Sequence, residues 1–210
     1  MDKTKKKIYN AYTTWVVENK KRPEFIEAFV IEAAISEETF LKYFDSFKSL
    51  EKSFWKELFT EAVTKTSLQS EFAEYSVNEK LLGFYFTWIE TMKEYRDFVV
   101  FTLNKLSFYE LYPSEFESLK KYFEEVVRQL VAEGIASGEI ANRPWIADKY
   151  QHLLWSQPVM ILRFWVKDTS ENLSGTDALI EKTVNFSFDL MRSNSLDSFV
   201  DLAKFHIQHR

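Results

Sequence analysis

Apolar side chains return every three to four residues along almost the whole chain, and very little interrupts them. Only four glycines and four prolines stand among 210 residues, too few turn-formers for a protein of many short strands. The sequence therefore predicts an all-α protein of about nine to ten helices with short joins. The first spans 4–19, with Ile8, Ala11, Tyr12, Trp15 and Val16 on one side. Pro23 suits the first turn of a second helix, 23–34, which buries Phe25, Ile26, Phe29, Val30 and Ala33. Ser36 is an N-cap for a third, 37–44, and Asp45-Ser46 caps a fourth, 47–63, with two adjoining apolar rows. Residues 64–77 are polar and join a small N-terminal module to a larger body. There, helices are predicted over 81–92, 95–106, 114–136 (capped by Ser114), 145–167, 176–193 (capped by Thr176) and 195–210. Pro158 is expected to kink the 145–167 helix.

Composition narrows the function classes. Aromatic residues make up 17% of the chain and phenylalanine alone supplies twenty, so the body holds either a thick core or an apolar cavity. The absence of cysteine excludes disulfides, thiolate chemistry and cysteine metal sites. Met1 to Lys7 is basic, but no apolar signal segment follows it. The runs 81–89 and 159–166 are too short to span a bilayer. A cytoplasmic protein without stable membrane insertion is expected. No nucleophile triad or glycine-rich phosphate loop is present, so the chain reads as non-enzymatic, and no cofactor is expected. Asp148 and His152 lie four apart, but no third metal ligand accompanies them, and no metal is expected.

The segment from Ile8 to Leu50 resembles the DNA-binding domain of the TetR family. That pattern runs I-x-x-A-A-x-x-L-F, then A-x-x-A-G-V-S, then T-x-Y-x-Y-F and S-K-x-x-L. Ile8, Ala11, Trp15 and Val16 occupy the first-helix positions, and Ile26, Phe29, Val30 and Ala33 those of the second. Ala34-Ile35-Ser36 stands at the turn, Thr39, Phe40, Tyr43 and Phe44 in the third helix, and Ser46 and Leu50 open the fourth. The resemblance implies a helix-turn-helix domain at 1–47 and a helical ligand-binding and dimerisation domain at 48–210. Four features depart from the pattern: Ala34 replaces the turn glycine, Glu37-Glu38 open the recognition helix, Leu41 replaces an aromatic, and Phe47 replaces a lysine. Residues 1–47 carry eight basic and eight acidic side chains, where a DNA-binding headpiece is ordinarily net positive.

As a member of that family the chain would be a dimeric repressor that binds operator DNA and is released by a small apolar or lipid-like ligand. The DNA-contacting residues would be Ser36, Glu37, Glu38, Thr39, Lys42, Tyr43 and Lys48, helped by Lys3, Lys5, Lys6, Lys7, Lys20, Lys21 and Arg22. The ligand would be lined by Phe84, Tyr85, Trp88, Phe98, Phe101, Trp155 and Phe164. A homodimer would pack through Leu154, Ile161, Trp165, Val184 and Phe188. A second reading is a lipid- or isoprenoid-binding accessory protein of the same fold that does not bind DNA. In that case the last predicted helix, with Phe199, Val200, Leu202, Phe205 and Ile207, would lie on a membrane surface.

Overall fold

A computed structural model describes residues 2–106 and 112–192, together with Phe205. Among the described residues there are ten helices and no strand. Three form the head: α1 (Lys3–Asn19), α2 (Ile26–Glu32) and α3 (Glu37–Tyr43). A long α4 (Phe47–Ser67) leads into the body of α5 (Val77–Met92), α6 (Arg96–Leu103), α7 (Glu117–Ser137), α8 (Tyr150–Leu154), α9 (Ser156–Trp165) and α10 (Ser174–Arg192). The expected helix at 195–210, with His206 and His209, lies outside the described residues apart from the exposed Phe205.

Side-chain caps fix where the helices begin. Asp2 accepts the amides of Thr4 and Lys5 at 2.9 and 3.0 Å and so starts α1. Ser46 and Ser49 cap each other's backbone at the start of α4, as Ser76 and Glu79 do at α5. The second helix is shorter than the spacing suggests, starting at Ile26 instead of Pro23, so Phe25 points outward. It ends in a Schellman turn: the Ile35 amide donates to the Val30 carbonyl (3.0 Å) and the Ala34 amide to Ile31 (3.2 Å). That turn needs a left-handed residue, and Ala34 supplies it with φ 50°, a conformation that costs an L-residue roughly 1–2 kcal/mol.

Several boundaries in the body correct the expectation. Ser114 does not cap the long helix: it opens a 3-10 turn, and α7 begins at Glu117 without a capping side chain. The 145–167 segment is not one helix kinked at Pro158. It is a turn, a short 3-10 stretch at Ala147–Lys149, then α8 and α9, broken at Trp155. Proline lacks the amide that would bond the Leu154 carbonyl, and its ring crowds that carbonyl, so the break falls one turn upstream. Thr176 does not cap the next helix, because it is buried inside α10. Asp168 takes the capping role from eight residues away, accepting the Thr176 amide at 2.7 Å and its hydroxyl at 2.6 Å.

Head and body share one core through α4. Tyr9 of α1 packs on Phe54 at 5.4 Å, and Phe54 meets Phe98 of α6 at 5.2 Å. Trp55 meets Phe116 at 4.7 Å, Phe59 meets Trp88 and Phe123, and Phe123 reaches Trp155 at 5.7 Å. Edge-to-face rings at these separations add to the burial of their area. The division drawn at 47/48 falls one residue inside α4, whose side chains pack towards both head and body.

A buried polar clasp lies across the same junction. The Glu51 carboxylate, on α4, accepts the Tyr12 hydroxyl at 2.6 Å. Arg22, between α1 and α2, grips both Glu51 oxygens at 2.7 Å each and also reaches Glu115 of the body at 3.2 Å. Burial and the adjacent Glu51 raise the Tyr12 hydroxyl pKa, so it stays protonated and donates. Removing Arg22 would leave Glu51 without its counter-charge. Arg22→Ala is expected to destabilise the fold by about 2–3 kcal/mol, below the range for a fully buried pair because Arg22 is partly exposed. Urea unfolding checks this, and a loss under 0.5 kcal/mol would refute it. The same measurement on Ala34→Gly should show stabilisation by about 0.5–1 kcal/mol, the relief of left-handed strain less the added chain entropy.

Candidate functional site

The three head helices hold α3 outward on a packed base. Phe40 turns inward, between Phe29 at 6.0 Å and Phe47 at 5.6 Å. On the opposite side Ser36, Glu37, Glu38 and Lys42 are exposed, as is Lys48 at the start of α4; Thr39 and Tyr43 are half-buried. Ser36 caps the helix through the Thr39 amide at 3.1 Å, and the two hydroxyls bond each other at 2.6 Å. The seven expected DNA-contacting residues thus lie on α3 and its flanks. Large apolar side chains accompany them: Phe25, Ile31 and Leu41 are exposed on the head.

Several of the expected phosphate-binding cations are engaged elsewhere. The 3–7 segment forms the start of α1. Lys5 pairs with Glu57 on α4 at 2.6 Å, Lys6 pairs with Glu94 at 3.1 Å, and Lys7 donates to the Ala34 carbonyl at 3.2 Å. Arg22 is held in the Glu51 clasp. Lys3, Lys20, Lys21, Lys42 and Lys48 stay exposed and have no carboxylate within ion-pair distance among the described residues.

In the body most of the expected ligand-lining aromatics are enclosed among core side chains. Phe84, Tyr85, Trp88, Phe98 and Trp155 are each at most 2% exposed and fill the core. Phe101 is half-buried with the Lys105 ammonium 3.9 Å from its ring centre. Phe164 faces out, 42% exposed. The expected dimer residues also turn inward: Leu154, Ile161, Trp165, Val184 and Phe188 are 0–5% exposed within a single chain. Side chains so enclosed have no surface left for a partner, and the apolar periodicity that singled them out marks the chain's own core. The outward apolar residues of this region are instead Trp145, Leu153, Met160, Phe164 and Phe186, 41–63% exposed. Apart from Phe164, the sequence reading did not single them out, because they lie beside the main apolar stripe and not on it.

Two cavities open on that face, one of about 620 Å³ between α8, α9 and α10, the other of about 940 Å³ along α9. Gln157 forms a polar floor in the first: its amide oxygen accepts the Tyr85 hydroxyl at 3.1 Å and its nitrogen donates to Ser187 Oγ at 2.6 Å. Asp168, at the rim of the second, is held well below the usual carboxylate range by the Ser170 hydroxyl and then by Thr176. His152 Nδ1 lies 2.8 Å from Glu124, and Asp148 pairs with Lys149, so the two do not meet over a metal. Among the described residues no group of three or more His, Cys, Asp or Glu is arranged to hold one. Likewise, no described helix is long and apolar enough to cross a membrane.

The architecture is known from other proteins. A TetR-family transcriptional regulator from Syntrophomonas wolfei str. Goettingen superposes with a TM-score of 0.65 at 14% identity, over 90% of this chain and 95% of that one. A protein of unknown function from Rhodococcus sp. RHA1 gives 0.57 at 10% identity, over 92% and 97%. At such identities the likeness is one of fold. No curated protein matches the chain in sequence. The body itself, residues 80–206, matches the family model described as the tetracyclin repressor-like, C-terminal domain. That match spans more than half of the chain, behind a head with α3 turned outward, and the protein therefore belongs to the TetR family, whose fold is that of transcriptional regulators.

Proposed function

We propose that the protein is a dimeric, cytoplasmic transcriptional repressor that binds operator DNA through α3 and releases it when an apolar ligand enters the body. The observation that carries this reading is the outward α3, seated on Phe40 and capped by Ser36, with Lys42 and Lys48 exposed beside it. A helix presented in this way fits a major groove with its first turns at the base edges. Thr39 and Tyr43 would contact phosphate, and one of Glu37 and Glu38 would accept from a cytosine amino group. Two copies would pair through the outward side chains of the last helices, Leu153 and Phe186 among them. Such a pair would set the two α3 helices one helical turn of DNA apart, ~34–36 Å.

One observation favours a second reading, a lipid-binding protein of this fold without DNA. Glu37 and Glu38 face solvent where phosphates would lie, while Lys5, Lys6 and Arg22 are already paired within the chain. Titration against the DNA flanking the protein's own gene, at several salt concentrations, separates the two. Five free cations per head predict a log–log salt slope of about −4.5 per bound head, and Lys48→Ala should reduce it by about one. Binding without sequence preference at low salt would remove the repressor reading and leave the second.

A further inference from the structure

Phe40 anchors α3 to the head and so fixes which residues of the helix look outward. At about 3.6 residues per turn, the direction opposite Phe40 falls between Glu38 and Lys42, with Leu41 beside them and Glu37 nearer the packed side. Thr39 and Tyr43 are half-buried on the other flank. The hydroxyls of Ser36 and Thr39 are occupied by capping, since they bond each other and Ser36 accepts the Thr39 amide. Glu38, Leu41 and Lys42 are therefore the side chains that α3 presents along its outermost line. Leu41 is 49% exposed, a large apolar group beside two charged ones.

The state of these groups limits what they can read. Glu38 and Lys42 stand one turn apart, a spacing at which charges on a helix surface commonly pair. Here the Lys42 ammonium lies instead 6.0 Å from the centre of the Tyr43 ring, and among the described residues no hydrogen bond or ion pair engages the Glu38 carboxylate. A carboxylate accepts hydrogen bonds and donates none. In a major groove guanine and thymine present acceptors, adenine a donor beside an acceptor, and cytosine a donor alone. The cytosine amino group is thus the base-edge partner that brings no repulsion. A leucine can make only apolar contact, and the 5-methyl of thymine is the apolar group in that groove. Three residues along a helix advance about 4.5 Å, against ~3.4 Å between stacked bases on a strand, so the two contacts fall on neighbouring base pairs.

We infer that Glu38 and Leu41 are the specificity-determining residues of this protein: Glu38 accepts from the amino group of a cytosine, and Leu41 packs on the methyl of a thymine in the next base pair. The inference rests on α3 entering a major groove, the reading proposed above, and adds which bases the helix selects. Glu38 lowers affinity for DNA in general, by repelling phosphates, and recovers it where a cytosine stands. Leu41 gains nothing from a base that lacks the methyl. The pair selects by what it penalises as well as by what it binds.

Selection of binding sequences from a random duplex pool with the full-length protein, followed by fluorescence anisotropy on the selected duplex, tests the assignment. The selected half-site is expected to hold a cytosine next to a thymine. Replacing that thymine by uracil, which removes only the methyl, should weaken binding about fourfold, the worth of one buried methyl. Leu41→Ala should bind the thymine and uracil duplexes equally. Exchanging the cytosine pair for T·A should weaken the wild-type protein about tenfold. Glu38→Ala should lose that preference while binding unselected DNA more tightly. Both residues are exposed, so circular dichroism should show both variants folded. A uracil duplex bound as tightly as the thymine one, or a loss that persists in Leu41→Ala, would overturn the role of Leu41. A cytosine preference kept by Glu38→Ala, or an affinity raised equally for every sequence, would overturn that of Glu38. A pool that yields no preferred sequence would overturn this inference together with the repressor reading. A preferred sequence that fails the uracil and exchange tests overturns this inference alone.

Discussion

A carboxylate enclosed as fully as Glu51 has to be neutralised where it stands, because an unpaired charge at that depth costs several kcal/mol. Arg22 and Tyr12 do this, and neither belongs to α4. The requirement ties the α1–α2 connection to the fourth helix and, through Glu115, to the start of the body. Around the clasp the aromatic rings of α4 face both ways, Phe54 towards the head and Phe59 towards α5 and α7. The head is therefore not a separable module on a flexible tether. Its orientation is set by the helix that also forms the middle of the body, and any displacement of α4 is a displacement of α3.

The parts of the structure legible from sequence are those where local rules and tertiary packing agree. Ser36 and Ser46 cap helices because each precedes an apolar stripe with a short polar oxygen at the right offset, whereas the Ser76 cap lies in a stretch read as a join. The order and spacing from Ile8 to Leu50 carry over into a packed three-helix head, with Ile8, Tyr12, Val16, Phe29, Val30, Phe40 and Leu50 buried. Where a choice between two faces was needed, periodicity could not make it. Ile161, Trp165, Val184 and Phe188 form convincing stripes, but a stripe reports burial and not whose atoms provide it. The long-range ion pairs were also illegible. Nothing near Lys5 or Lys6 in sequence points to Glu57 or Glu94, 52 and 88 residues on.

Ala34 shows the head resolving a conflict between geometry and residue type. The turn between α2 and α3 closes with both Schellman hydrogen bonds although no glycine is present. The flanking helices are held by Phe29 and Phe40, buried against each other and against Phe47, and the burial of three rings outweighs a strain of roughly 1–2 kcal/mol at one residue. The same asymmetry explains why acidic residues can stand at the start of α3. Glu37 and Glu38 favour the helix N-terminus through its dipole, so the residues that stabilise the isolated head are the ones that oppose phosphate. Helix stability and DNA affinity pull this segment in opposite directions.

Besides the shared core, one chain of polar contacts leads from the end of α9 to the head. Arg96 opens α6 and donates to the carbonyls of Trp165 and Val166 at 3.1 and 3.2 Å, closing the end of α9 with its guanidinium over the Trp165 ring. Immediately before it, the Tyr95 hydroxyl donates to Asn10 of α1 at 2.8 Å, and Glu94 pairs with Lys6. A movement of the last turn of α9 therefore either breaks the Arg96 bonds or carries the 94–96 segment along. If it is carried along, α1 is pulled through Asn10 and Lys6. Coupling of this kind requires two packings of α9 that differ in their affinity for a ligand. The break at Trp155, where Pro158 leaves the Leu154 carbonyl without its helical partner, is the place along this helix pair where a second packing costs least.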